Sequence, residues 1–202
     1  MVTMKSNVPL DKHDHIRYNL KIEKFLVNIM SEIESATKDV QEFTLCGQVL
    51  NGKIVEMYDA DTCKIVLPLF SGIYKFTCRL NGIDTPEMKP RKDKPNREAE
   101  IAWAKRARNE FLRLVCPDSK CCQITDPKKD DILKELELNR KLVSVKCLEF
   151  DKYGRLLVEI TPPGTQETVN TLLIKANLAV SYDGGTKVAP WGNLGSPLTP
   201  SA

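Results

Sequence analysis

The chain has 202 residues, 42% hydrophobic and 28% charged. That is the balance of one globular domain with appendages, and it excludes collagen-like, low-complexity and wholly disordered classes. The longest apolar runs, residues 65–70 and 156–160, are broken by Pro68 and Glu159, far short of the roughly 20 apolar residues of a membrane span. Formal net charge is only +3, from 30 basic against 27 acidic residues, so any attraction for a polyanion must come from local clustering.

The opening residues MVTMKSNVPL hold no apolar stretch of a secretory signal, and an intracellular location is expected. Seven cysteines, at 46, 63, 78, 116, 121, 122 and 147, are an odd number in a chain able to bury a core without staples, so reduced thiols are expected. Cys116, Cys121 and Cys122 cluster, but no second CxxC or neighbouring histidine completes a tetrahedral zinc site, and they read as small buried hydrophobes. The two histidines, His13 and His15, lie in a polar N-terminal segment. HExxH zinc proteases and two-histidine phosphoryl transfer therefore lack their reagents, and hydrolysis would have to run on carboxylates, arginines and a metal.

In chain order, residues 16–36 place Ile16, Leu20, Phe25, Leu26, Ile29, Met30 and Ile33 at helical spacing. Such an amphipathic helix needs a partner surface, and it is expected to pack on the body of the domain within a monomer. If so, deleting residues 1–38 yields a monomer with a lowered melting temperature. An unchanged melting temperature, or a dimer that becomes a stable monomer, overturns that packing.

Three strands follow at about 44–57, 62–69 and 73–81, parted by the Asp59-Ala60-Asp61 and Ser71-Gly72 turns, in the pattern of a meander. In the third, Phe76, Cys78 and Leu80 alternate with Lys75, Thr77 and Arg79, so Arg79 points away from the apolar face. A helix over residues 97–114 carries Ile101, Ala104, Arg108 and Phe111 and ends before Pro117. Residues 88–113 hold nine basic residues (89, 91, 92, 94, 97, 105, 106, 108, 113) against four acidic (93, 98, 100, 110). On charge alone that stretch is a solvated loop and helix face or a nucleic-acid track.

Residues 116–141 read as an insertion with a short helix near 130–139. Strands at about 142–149 and 155–161 flank the Asp151-Lys152-Tyr153-Gly154 turn, Gly154 supplying positive φ. A last helix at about 168–177 ends on Asn177, which tolerates a left-handed cap. From Val188 onward three prolines and two glycines in fifteen residues indicate a flexible tail. The expected organisation is an N-terminal extension (1–40), a domain at 41–187 and the tail at 188–202.

Five strands interrupted by one helix suggest an α+β fold built on a small closed barrel of the OB type. Closure would bring Asp59 and Asp61 toward Asp84-Thr85-Pro86-Glu87, an all-oxygen set suited to a hard cation such as Ca²⁺ or Mg²⁺. Arg79 and Arg155 add guanidinium forks that match phosphate oxygens. On spacing alone, isolated surface carboxylates and a structural arginine remain the favoured account of these residues.

Three segments in register, Tyr58-Asp59-Ala60-Asp61-Thr62, residues 78–87 (CRLNGIDTPE) and Asp151-Lys152-Tyr153-Gly154-Arg155, resemble the signatures of the staphylococcal (thermonuclease-like) nuclease family. The resemblance spans about residues 44–187. VNTLLIKANLAVSY is similar to the family's second helix and the tyrosine that follows it, here Tyr182. It implies a five-stranded OB-fold barrel with packed helices and calcium-dependent hydrolysis of DNA and/or RNA phosphodiesters that leaves 3′-phosphate ends. It further implies that Asp61, Asp84 and the main-chain carbonyl of Thr85 ligate Ca²⁺ and that Glu87 orients or deprotonates water. Arg79 and Arg155 would neutralise the phosphate, Lys152 and Tyr153 hold a terminal phosphate, Tyr182 stacks on a base or sugar, and Asp59 supports the ligands from behind.

Ala60 stands where the family commonly has glycine, residues 116–141 are extra, and the family's C-terminal helix gives way to the Pro/Gly tail. The additions and the Asp183-Gly184-Gly185-Thr186-Lys187 segment are similar to nuclease-like proteins of large DNA viruses. The competing reading is a catalytically silent nucleic-acid-binding module, which should have lost some of these carboxylates or arginines; this chain keeps all five.

Overall fold

The computed structural model describes residues 12–124, 126–185 and 191, with side chains from residue 20 onward except those of Cys122 and Gln123. The chain divides into two compact units, Met1–Phe43 and Thr44–Ala202. The first contains helix α1, Lys12–Glu34, as the periodicity of its apolar residues predicts. Among the described residues no helix is long and apolar enough to cross a membrane.

In the second unit, β1 (Val49–Met57), β2 (Thr62–Leu69), β3 (Gly72–Leu80), β5 (Val143–Phe150) and β6 (Leu156–Thr161) form a closed barrel in the order β1-β2-β3-β6-β5. Alternation decides which side chains fill it. Cys63, Ile65 and Leu67 of β2, Val143, Val145 and Cys147 of β5, and Leu156, Val158 and Ile160 of β6 are all at most 2% exposed. At Gly52 an added Cβ would lie 2.6 Å from Leu67 Cδ2 and 2.8 Å from Ile65 Cγ2, so this position must lack a side chain for the barrel to fill.

Two pairings close the barrel, β1 with β5 antiparallel and β3 with β6 parallel. The second registers Cys78 with Leu156, Arg79 with Leu157 and Leu80 with Val158. Arg155 lies two residues before Leu157, so both arginines belong to the same face of the parallel pair.

Helix α2 (Arg97–Val115) buries Ala104, Ala107, Arg108, Phe111, Leu112 and Val115 along one stripe. The expected insertion is part of the core. Its helix α3 (Lys129–Leu138) packs on β1, with Ile132 and Leu136 buried and Lys53 Nζ donating to the Glu137 carbonyl at 2.9 Å. Although the segment is rich in charge, two apolar residues four apart suffice to seat a short helix. Cys116 and Cys121 are buried as expected, and Cys46, Cys63, Cys78 and Cys147 are free thiols. Burial, with Cys147 nearby, pushes the Cys78 thiol up to about 12, leaving it un-ionised and inert. Of the tail expected from Val188, only Trp191 lies within the described residues. It is 1% exposed, its ring centroid 6.3 Å from that of Trp103.

Helix α4 (Val169–Lys175) starts at Thr168, whose hydroxyl accepts the Thr171 N–H, and is followed by Asn177 at φ 56°. Its Asn170 is buried, donating to the Asn81 carbonyl at 2.8 Å and accepting the Ile160 N–H at 3.5 Å. The end of β3 is thereby fixed next to Arg79. Asn170→Ala should lower stability by about 1–3 kcal/mol, because the Asn81 carbonyl loses its buried donor; urea unfolding measures it, and a loss within error would assign that bond no weight.

Candidate functional site

One open cleft of about 1030 Å³ lies where the β1–β2 turn, the end of β3, the turn before β6 and the segment after α4 meet. Of the nine site residues named from sequence, Asp61, Arg79, Thr85, Glu87, Lys152, Tyr153, Arg155 and Tyr182 line it. The ninth, Asp84, is buried behind it and reaches it through Arg79.

The β1–β2 turn places two acids side by side. Asp59 Oδ1 accepts the Asp61 N–H at 3.2 Å, and Thr62 Oγ1 donates to Asp61 Oδ1 at 2.8 Å. Both are buried. Burial pushes the Asp59 carboxyl above its ordinary value, and the neighbouring Asp61 charge adds to the shift.

Arg79 is the hub of the site. Its guanidinium pairs with Asp61, lies 3.4 Å from Asp84 Oδ1 and donates to the Ile83 carbonyl at 3.2 Å. Burial opposes its charge, but the Asp61 and Asp84 carboxylates outweigh that and hold its pKa above the ordinary value. The alternation that aims Arg79 away from the barrel interior thus delivers it between two buried acids.

Arg155 is oriented by Asp151, which accepts from Arg155 Nε and pairs with Nη2, both at 2.7 Å. Asp151 Oδ1 also accepts the N–H groups of Tyr153 and Arg155, each at 2.9 Å. Partial burial works against this carboxylate, yet those amides and the guanidinium more than offset it, and its pKa lies below the ordinary value. Gly154, at φ 77°, makes so tight a turn possible. Tyr153 is largely exposed, with Lys152 Nζ 5.2 Å and Arg155 Cζ 5.5 Å from its ring centroid, both within cation–π range.

Tyr182 reaches the cleft through a pairing the sequence did not reveal. Strand β4 (Ile83–Asp84) pairs with β7 (Val180–Ser181), and the Tyr182 N–H donates to the Gly82 carbonyl at 3.0 Å. Two-residue strands leave no periodicity to read. The orienting role of Asp151 also went unassigned, although the Asp-to-Arg spacing of four in Asp151-Lys152-Tyr153-Gly154-Arg155 was visible. Tyr58, half-exposed, lines the cleft as well, with Lys89 Nζ 6.0 Å from its ring centroid.

Much of the basic stretch at 88–113 is paired internally: Arg91 with Asp93, Lys94 with Glu100, Arg97 with Glu98, Lys105 with Asp126 and Arg113 with Glu110. This favours the reading of a solvated, ion-paired face over that of a continuous nucleic-acid track.

A family model described as staphylococcal nuclease homologue matches residues 77–189, just over half of the chain, a span that takes in Arg79, Asp84 and the turn before β6. The chain belongs to the staphylococcal nuclease homologue family. The closed five-stranded barrel with its packed helices is the OB-type α+β fold of that family. No curated protein matches the chain. Membership supports a nuclease or nucleic-acid-binding function.

As to a cation, no group of three or more His, Cys, Asp or Glu side chains among the described residues is gathered to hold one. Two buried carboxylates, Asp61 and Asp84, instead share the guanidinium of Arg79. Acids close enough to share one cationic group can share a metal ion, and with Thr85, also buried beside Asp84, the donor set is all oxygen. That chemistry fits a hard cation and a shell completed by carbonyls, water or phosphate.

Proposed function

We propose that this protein is a calcium-dependent nuclease that hydrolyses DNA and/or RNA phosphodiesters and leaves 3′-phosphate ends. The observation that carries the reading is the convergence of Arg79, Arg155, Asp61 and Glu87 on one cleft, with each arginine held by a carboxylate. Two fixed guanidiniums facing an open cleft suit a phosphate that gains charge in the transition state, and preorganised cations act most strongly there.

Asp61, Asp84 and the Thr85 carbonyl would hold Ca²⁺. When bound, the ion neutralises phosphate charge and lowers the pKa of water beside it. The chain's own groups divide the remaining work. Arg79, held at the cleft by its carboxylates, donates to a non-bridging phosphate oxygen. Arg155, kept in orientation by Asp151, donates to the same phosphate from the other side. Glu87, exposed at the cleft, orients the attacking water and takes up its proton as the new P–O bond forms, while the P–O5′ bond breaks and the 5′-oxygen leaves with a proton from solvent. Lys152 and Tyr153 take a terminal phosphate, and Tyr182 offers its ring to a base or sugar.

Plasmid and RNA digestion with Ca²⁺ and with chelator tests the reading. Calcium-dependent cutting with 3′-phosphate ends is expected; nucleic-acid binding without cutting under any metal would make the protein a silent binding module. Glu87→Gln should lower kcat by about 10²–10⁴-fold, the range of general acid–base catalysis. Binding of an uncut oligonucleotide should change little, since the phosphate clamp stays intact. A wild-type rate for this variant would remove Glu87 from the chemistry.

A further inference from the structure

The buried stripe of α2 begins with an acid. Glu100 is 1% exposed and precedes Ala104, Ala107, Arg108 and Phe111 on the same face. A carboxylate without solvent is costly unless it is paired and hydrogen-bonded. Complementing the dipole at the start of the helix does not require burial, and Glu98, exposed in the same first turn, already serves that purpose.

Both partners of Glu100 come from the segment 85–96 that joins β4 to α2. The Glu87 N–H donates to Oε1 at 3.4 Å, and Lys94 Nζ lies 2.6 Å from Oε2. Between these anchors the segment is tied further, Arg97 Nε donating to the Pro90 carbonyl at 3.3 Å and the Lys94 N–H to that of Arg91 at 3.1 Å. One buried carboxylate therefore grips the segment near its two ends, and the first grip is the peptide nitrogen of Glu87. Glu87 itself lines the cleft and is exposed there.

We propose that Glu100 is a positioning residue for Glu87: by binding the Glu87 N–H and the Lys94 ammonium it fixes the backbone from which the Glu87 carboxylate addresses the cleft. The inference rests on the nuclease reading for its kinetic consequence, and on the hydrogen bonds alone for its structural one. A displacement of about 1 Å at a reacting group can cost on the order of 10²-fold in rate, so a residue that never touches substrate can still govern kcat.

The test uses the full chain with Glu100→Leu, Glu100→Gln and Lys94→Met, each first checked for a cooperative melt. Trypsin supplies a readout independent of activity, because Arg91 and Lys92 lie inside the gripped segment. Cutting after them should be about tenfold faster in Glu100→Leu and measurably faster in Lys94→Met, as expected when a local segment opens without global unfolding. In the digestion assay Glu100→Leu should lower kcat by about 10–100-fold with KM near wild type. Glu100→Gln, which keeps an acceptor for the Glu87 N–H, should recover most of that loss. In a Glu87→Gln background Glu100→Leu should add almost nothing, since both then act through one group.

Wild-type tryptic protection in both Lys94→Met and Glu100→Leu, or a kcat loss undiminished in the Glu87→Gln background, overturns the proposal. If Glu100→Leu fails to fold, Lys94→Met decides, because it loosens the grip by a substitution at a side chain that is itself about one-third exposed. A wild-type protein that cuts nothing defeats the nuclease reading separately, while the tryptic arm still reports whether Glu100 holds the segment.

Discussion

Arg79→Lys should cut the rate of phosphodiester hydrolysis by about 10²–10³-fold, the usual loss for one preorganised donor in the transition state, while the protein stays folded. The lysine keeps a positive charge among Asp61 and Asp84. It cannot reproduce the fork that spans both carboxylates and the Ile83 carbonyl, nor meet two phosphate oxygens at once. Arg79→Ala should be worse in a second way. Its removal leaves two acids that are each nearly solvent-free, with side chains 6% and 5% exposed, without their shared counter-charge. Breaking a buried pair from one side typically costs about 3–5 kcal/mol. Thermal unfolding in chelator should therefore separate the two variants even though both are poor catalysts. Full activity in Arg79→Lys would place the chemistry elsewhere.

Removing calcium should abolish cutting, and adding it should stabilise the fold. Asp61 and Asp84 share a single guanidinium, and Asp59, whose ionisation is disfavoured by burial and by the Asp61 charge, lies beside Asp61, so this desolvated corner holds more carboxylates than cations and the acids repel one another. A divalent ion relieves that repulsion in the native state and finds no such site in the unfolded chain. At a free concentration about 100 times its Kd the gain is about 2.7 kcal/mol by mass action. The stabilisation should be largest in Arg79→Ala, where the ion replaces a missing cation. Mg²⁺, which demands a stricter octahedron and gives up water reluctantly, should bind but support little turnover. Full activity in excess chelator would rule out the metal role of Asp61, Asp84 and Thr85.

The sequence alone determined the local elements, because their signals are short-ranged. The alternation of Phe76, Cys78 and Leu80 with Lys75, Thr77 and Arg79 specifies a strand with one apolar face. Asp-Lys-Tyr-Gly specifies a tight turn through the freedom of Gly154, and Asn177 specifies a left-handed helix end. The three motifs and the VNTLLIKANLAVSY segment, read together, pointed to the family and to eight residues that the fold brings to one cleft.

What only the tertiary structure decided depends on contacts between residues far apart in the chain. The parallel pairing of β3 with β6 puts Arg79 and Arg155 on one face, and no local pattern in either strand encodes its partner's register. The two-residue pairing of β4 with β7 carries Tyr182 to Gly82, too short to leave a period. Helix α3 lies in a charged stretch, and only the surface of β1 shows that Ile132 and Leu136 are core. Glu100 reads in the sequence as one more acid at the start of a helix. Its burial, and its grip on both Glu87 and Lys94, exist only once the segment between them folds back over α2. A side chain's partners are set by the path of the backbone around it, and that path is fixed by the whole core rather than by its neighbours in sequence.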